Sequence, residues 1–159
     1  MISIDAQPQL HVRAWADPVV DRYGFAAHSE YVERFWTPLI GPSTLFLLRF
    51  LVSRLHEVPG GFVMPSARTA QFLGLSDKTG PDDIFPRTVN RLIQFRLAYE
   101  ADDVLFVRRN IASLHPKQVQ RLSSALQVMH QEFLRDQVVR TDLTATPMSP
   151  VQVEQPRVS

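Results

Sequence analysis

The chain has 159 residues, 45% of them hydrophobic and 21% charged, a balance that suits one domain with a buried core and free ends. Its net charge of +1 gives no preference for a partner, and the absence of cysteine excludes a disulfide framework, a thiolate metal site and a thiol nucleophile. All of the 17 basic side chains except Lys78 and Lys117 are Arg, a bias that a GC-rich genome produces without functional meaning.

Residues 1–27 contain Pro8, Pro18 and Gly24 and hold no sustained period, so they are expected to form a flexible N-terminal arm whose end is pinned by Tyr23 and Phe25. The domain itself is expected over 28–136. Ser29 is a plausible N-cap for a short helix, with Glu30 and Glu33 near the positive end of its dipole, and Pro38 is expected to stop it. Gly41 and Pro42 then open a second helix, whose Leu45, Leu48, Leu51, Val52 and Leu55 make a wide apolar face. The layout of a secretion signal is missing from the first thirty residues. The apolar stretch 35–55 is broken by Pro38, Gly41, Pro42, Arg49 and Arg54, so a cytoplasmic protein without a membrane segment is expected.

Val58-Pro59-Gly60-Gly61 reads as a turn, and Phe62-Val63-Met64 before Pro65 as a short strand. Ser66 is expected to cap a helix to about residue 73, with Ala70 and Leu73 inward and Gly74 turning the chain. A polar loop over 76–83 follows. Residues 84–97 form the most informative helix: Val89, Leu92, Ile93 and Leu97 give an apolar face, while Arg87, Asn90, Arg91 and Gln94 fall at i, i+3, i+4 and i+7 on the other. Two runs rich in Val, Phe and Tyr, separated by Ala101-Asp102-Asp103, signal a hairpin. A long helix is expected over 116–136, carrying Val119, Leu122, Leu126, Met129 and Phe133 at three-four spacing; this seam fits a homodimer interface or docking onto the helix beginning at Pro42. Residues 137–159, with Pro147, Pro150 and Pro156, are expected to be a disordered tail.

The expected fold class is mainly α with a small β-hairpin. The order of helix, helix, strand, helix, turn, helix and hairpin, with SARTAQFLGLS followed by RTVNRLIQFRLA, resembles the winged helix-turn-helix superfamily over about residues 42–110, here with an added long C-terminal helix. The 76–83 loop is longer than the tight corner usual in that superfamily. A second resemblance, of FWTPLIGPSTLFLLRFL, is to the opening of the winged-helix domains of bacterial replication helicase loaders, which use the domain for self-assembly as well as for nucleic acid.

Catalytic chemistry has no constellation to rest on. His11, His28, His56, His115 and His130 show no metal-ligand spacing, and Asp82-Asp83 and Asp102-Asp103 are accounted for by helix capping and turn formation. No enzyme activity, cofactor or metal is expected. Two readings remain. In one, the protein is a transcriptional regulator that reads double-stranded DNA with helix 84–97: Arg87, Asn90, Arg91 and Gln94 supply base-reading types, with Arg68 on the preceding helix and Arg108 and Arg109 at the wing base as phosphate contacts. In the other, it is a winged-helix module that binds protein or assists replication-associated assembly without reading sequence. The acids Asp77, Asp82, Asp83, Glu100, Asp102 and Asp103 nearly cancel the bases around them, and an acidic wing tip repels phosphate.

Overall fold

The computed structural model describes residues 9–78, 80 and 82–145, in two compact units that divide between Leu122 and Ser123. The protein is mainly α with a small β part. In the first unit, β1 (Gln9–Ala14) leads through α1 (Pro18–Tyr23) and β2 (Phe25–Ala26) to a π-helical turn (Val32–Trp36) that runs on into α2 (Thr37–Ile40). There follow α3 (Pro42–Glu57), β3 (Phe62–Pro65), α4 (Ser66–Phe72), α5 (Ile84–Gln94), the hairpin β4 (Ala98–Ala101) and β5 (Val104–Val107), then β6 (Asn110–Ile111) and α6 (Pro116–Val119). The second unit holds α7 (Ser124–Thr144).

The first expectation to be corrected is the arm. Residues 9–14 are a strand in the middle of the sheet, whose order is β3-β1-β5-β4. β1 pairs antiparallel with β3, Val12 opposite Phe62, and parallel with β5, Val12 opposite Leu105. Its side chains alternate: Gln9, His11 and Arg13 are exposed, while Leu10 and Val12 are 2% and 1% exposed. That period-2 pattern is the signature of a strand with one buried face, here only a few residues long. Residues 17–26 are held as well. Asp17 Oδ1 accepts from the Val19 and Val20 amides to cap α1, Phe25 pairs with Ile111 in a separate two-stranded ladder, and its ring stacks on Tyr31 at 3.8 Å between centroids. Tyr23, expected to help pin this end, is 72% exposed.

Pro38 does not stop its helix. The π-turn just before it relaxes the backbone where the proline, lacking an N–H and crowding the carbonyl four residues back, would otherwise break the ladder, and the helix continues to Ile40. Gly41, at φ 84°, is the real break, and Pro42 opens α3 behind it. Leu45, Leu47, Leu48, Leu51, Val52 and Leu55 of α3 are buried, as are Val89 and Leu92 of α5, the helix with which α3 packs most extensively. Tyr31 and Trp36 tie the π-turn region to the strand-to-helix link further on: the Leu114 amide donates to the Tyr31 hydroxyl (2.8 Å) and Trp36 Nε1 donates to the Ala112 carbonyl (3.1 Å). Burial holds the Tyr31 phenol above its ordinary pKa.

The strand expected at Phe62 and the hairpin are present, the latter turning on Asp102 and Asp103 at φ 50° and 60°. Two successive positive φ values are those of a type I′ turn, whose twist matches the flanking strands. Asp83, expected to cap α5, instead accepts the Gly80 amide at 2.7 Å. The long helix expected over 116–136 is two helices. His115 caps α6 in a reciprocal pair with Gln118, the chain turns at 120–122, and Ser123 caps α7 afresh by accepting the Leu126 amide. The seam is therefore interrupted: Val119 ends α6, Leu122 lies in the turn, and Leu126, Met129 and Phe133 belong to α7. The expected tail also begins later, since α7 runs to Thr144; the rest of the tail, including Pro147, Pro150 and Pro156, lies outside the described residues.

Because β1 supplies two core side chains and hydrogen bonds to two strands, Leu10→Ala should lower the unfolding free energy by about 2–5 kcal/mol, as for other buried leucines. Urea unfolding followed by circular dichroism measures this. A change below about 0.5 kcal/mol, the range of ordinary surface substitutions, would return residues 9–14 to the status of an arm.

Candidate nucleic-acid interface

Helix α5 presents its polar stripe much as its periodicity requires: Arg87, Arg91 and Gln94 are exposed and Asn90 is half-buried. Beside them runs a groove of about 390 Å³ between α5 and the α2–α3 corner, lined by Ile40, Gly41, Pro42, Thr44, Arg87 and Arg91 among others. One of these side chains is already engaged. Arg91 Nη2 donates to the Leu39 carbonyl at 3.0 Å, and its guanidinium lies 5.7 Å from the centre of the Phe95 ring, so Arg91 braces α5 against the end of α2.

The other expected contacts line another surface or are paired internally. Arg68, on α4, lines a separate depression with Phe50, Arg54, Val63, Met64 and Phe72, and its guanidinium lies 5.7 Å from the Phe72 ring. Arg108 is committed three times over: Nη1 to Asp17 Oδ2 at 2.8 Å, Nε to the Arg96 carbonyl at 2.9 Å, and the guanidinium 3.5 Å from the centre of a Trp15 ring. Arg109 faces Asp21 at 3.8 Å, and Asn110 Nδ2 donates to the Asp21 carbonyl. The cations at the root of the hairpin thus meet the carboxylates of the α1 region, which was expected to be only a loose arm. The arginine holds the Asp17 carboxyl below its ordinary pKa, chiefly through their hydrogen bond, with the Val20 amide acting in the same sense.

Two arginines that sequence reasoning left out as contacts belong to a second basic site. At the C-terminal end of α5, a depression of about 510 Å³ is lined by Arg91, Gln94, Phe95, Arg96, Gln118 and Arg121. Arg96 sits at φ 56°, with its amide donating to the Ile93 carbonyl and the Leu97 amide donating to the Leu92 carbonyl. That is a Schellman stop with Arg in the left-handed position where glycine is usual; the same stop after α4 has Gly74 at φ 67°. A non-glycine residue there costs about 1 kcal/mol or more. The available signal was the missing glycine: a helix ending at Phe95-Arg96-Leu97 has no residue suited to the turn it must make.

Among the described residues no group of His, Cys, Asp and Glu is arranged to hold a metal ion, and no helix is long and apolar enough to cross a membrane. No family model matches the chain and no curated protein matches it. Among solved structures it is similar to the crystal structure of primosome protein DnaB (residues 1–300) from Geobacillus stearothermophilus, at 17% identity and a TM-score of 0.44. The match covers 100% of this chain, which spans 57% of that one. Overlap this loose fixes neither the fold family nor an activity.

The Asp17–Arg108 pair makes an acid-sensitive contribution with a defined sign. A carboxyl whose folded pKa lies below its unfolded value stabilises the fold at pH above the unfolded value of about 3.9, and that contribution disappears as pH falls through the folded pKa. Asp17→Asn should therefore be less stable than the natural chain at neutral pH and should lose less on acidification. Parallel urea titrations at neutral pH and near pH 2 test this; equal acid losses in the two proteins would remove the pair from the stability balance.

Proposed function

We propose that the protein is a winged-helix module that assembles with protein, a second copy of itself included, and does not read DNA sequence. The observation that carries this reading is α7. Of its residues from Ser124 to Thr144 only His130 is buried, while Val128, Val138, Val139 and Leu143 are each more than half exposed and Met129 is 38% exposed. A run of exposed large apolar side chains on one helix is an unfavourable surface for a free monomer and a usual one for an association element. Leu126, Met129 and Phe133 recur at three-four spacing on α7 and give the start of a seam. The winged-helix assignment rests on the order α3, β3, α4, α5, β4, β5 and on the sequence resemblance described above; the resemblance of the 35–51 segment to replication helicase loaders favours assembly in that setting.

The spent cations point the same way. A duplex reader needs base contacts and flanking phosphate contacts in one register. Here Arg108 and Arg109 face Asp17 and Asp21, Arg91 braces the α2 end, and the hairpin tip is Asp102-Asp103. The regulator reading retains one specific support, the exposed side chains of Arg87 and Gln94 on α5.

Light scattering coupled to size exclusion at tens of micromolar should give a mass above that of one chain, and Met129→Glu should reduce it to one chain with circular dichroism unchanged. A monomeric natural chain refutes assembly with itself. Binding to a randomised duplex pool, followed by sequencing, should enrich no motif. Enrichment of one, lost in Arg87→Ala, would establish the regulator instead.

A further inference from the structure

We propose that the depression at the C-terminal end of α5 is a phosphate-binding site built from Arg91, Arg96 and Arg121. The inference is independent of how the protein assembles. The depression is lined by Arg91, Arg96 and Arg121 with Gln94, Gln118 and Phe95, and no Asp or Glu is among them. Five other arginines face carboxylates: Arg34 pairs with Glu30, Arg49 with Glu33, Arg54 with Glu57, Arg108 with Asp17 and Arg109 with Asp21. Among the described residues no such ion pair engages Arg91, Arg96 or Arg121. Like charges collected in a concave site without a counter-ion set up a field that an anion relieves.

The donor set fits phosphate in particular. A guanidinium presents paired N–H groups that match two phosphate oxygens, and a glutamine amide adds further donors. Phe95 keeps the cations in place without neutralising them, with Arg91 and Arg121 at 5.7 Å and 6.0 Å from its ring centre. The bond from Arg91 to the Leu39 carbonyl fixes one arm of its fork. At about 510 Å³ the depression has room for two adjoining phosphates.

A purely structural role explains less. Cations are favourable at a helix C-terminus, but Arg96 and Leu97 already satisfy the Ile93 and Leu92 carbonyls through their backbone amides, and one cation would answer the remaining dipole. Arg96 also occupies a left-handed position where glycine would be less strained, so its side chain is not there for the turn.

The ligand chemistry is a pair of phosphates, on a nucleic-acid backbone or in a free polyphosphate, and the test separates the two. Isothermal titration of the full chain with inorganic pyrophosphate should show binding that weakens about tenfold or more in Arg121→Gln and in Arg96→Gly, the loss expected for one charge-assisted contact, and is unchanged in Arg68→Gln. Arg96→Gly should at the same time melt higher than the natural chain, which a residue serving only the fold would not do. Anisotropy of a labelled duplex oligonucleotide then identifies the source. If Arg121→Gln weakens duplex binding by a similar factor and pyrophosphate competes, the site takes backbone phosphates; if only pyrophosphate binding falls, it takes a free polyphosphate. Absence of pyrophosphate binding to the natural chain, or natural affinity in a folded Arg121→Gln, overturns the proposal.

Discussion

The arrangement of the first unit depends on one strand being paired on both sides. A central strand has its backbone donors and acceptors taken up by two neighbours, and β1 is what allows β3 and the β4–β5 hairpin to belong to one sheet. Without it, β3 and β5 would each expose an unpaired edge, and the side chains of Leu10 and Val12 would leave the layer that covers α3. The parallel contact of β1 with β5 also explains why the following segment is ordered. Once Ala14 lies beside Val107, Trp15 and Asp17 are delivered to Arg108, and the π-cation contact and the ion pair follow from the register.

This chain of consequences redistributes charge. The sequence places Arg108 and Arg109 at the root of a hairpin, a position suited to phosphate, but the strand register sets Asp17 and Asp21 against them. A surface that is basic on paper is closed by internal pairing, while Arg91, Arg96 and Arg121, without carboxylate partners among the described residues, line one depression at the far end of α5. Which arginine is available is therefore a property of the sheet, two elements removed from the helix that carries the stripe.

How much of this was legible follows the length of each pattern. The α3 and α5 faces were readable because each repeats over several turns, and Leu45, Leu48, Leu51, Val52, Leu55, Val89 and Leu92 are buried as their spacing requires. The hairpin was readable from β-rich runs about a short turn. β1 was not read because its alternation lasts only from Gln9 to Ala14 and is followed at once by Pro18, so nearby breakers outweighed it. The helix break at 120–122 hid behind a three-four spacing that survives by accident of numbering, since Val119 and Leu126 keep their interval whether or not a turn lies between them. At the candidate site, Arg87, Arg91 and Gln94 were found from the stripe, while Arg96 stands just past the end of that helix and Arg121 comes from a separate segment and joins them only through the fold.

The parallel pairing of Val12 with Leu105 has a kinetic side as well. During synthesis, β1 leaves the ribosome before either partner exists; β3 follows after some fifty residues, but the strand on its other side only after more than ninety. For that interval one edge of a short apolar strand stands open, and closing the loop to β5 is among the long-range events that slow folding. The outward His11 and Arg13 alternate with Leu10 and Val12 along that waiting edge. Polar and charged side chains at alternate positions disfavour the pairing of a strand with its own copies.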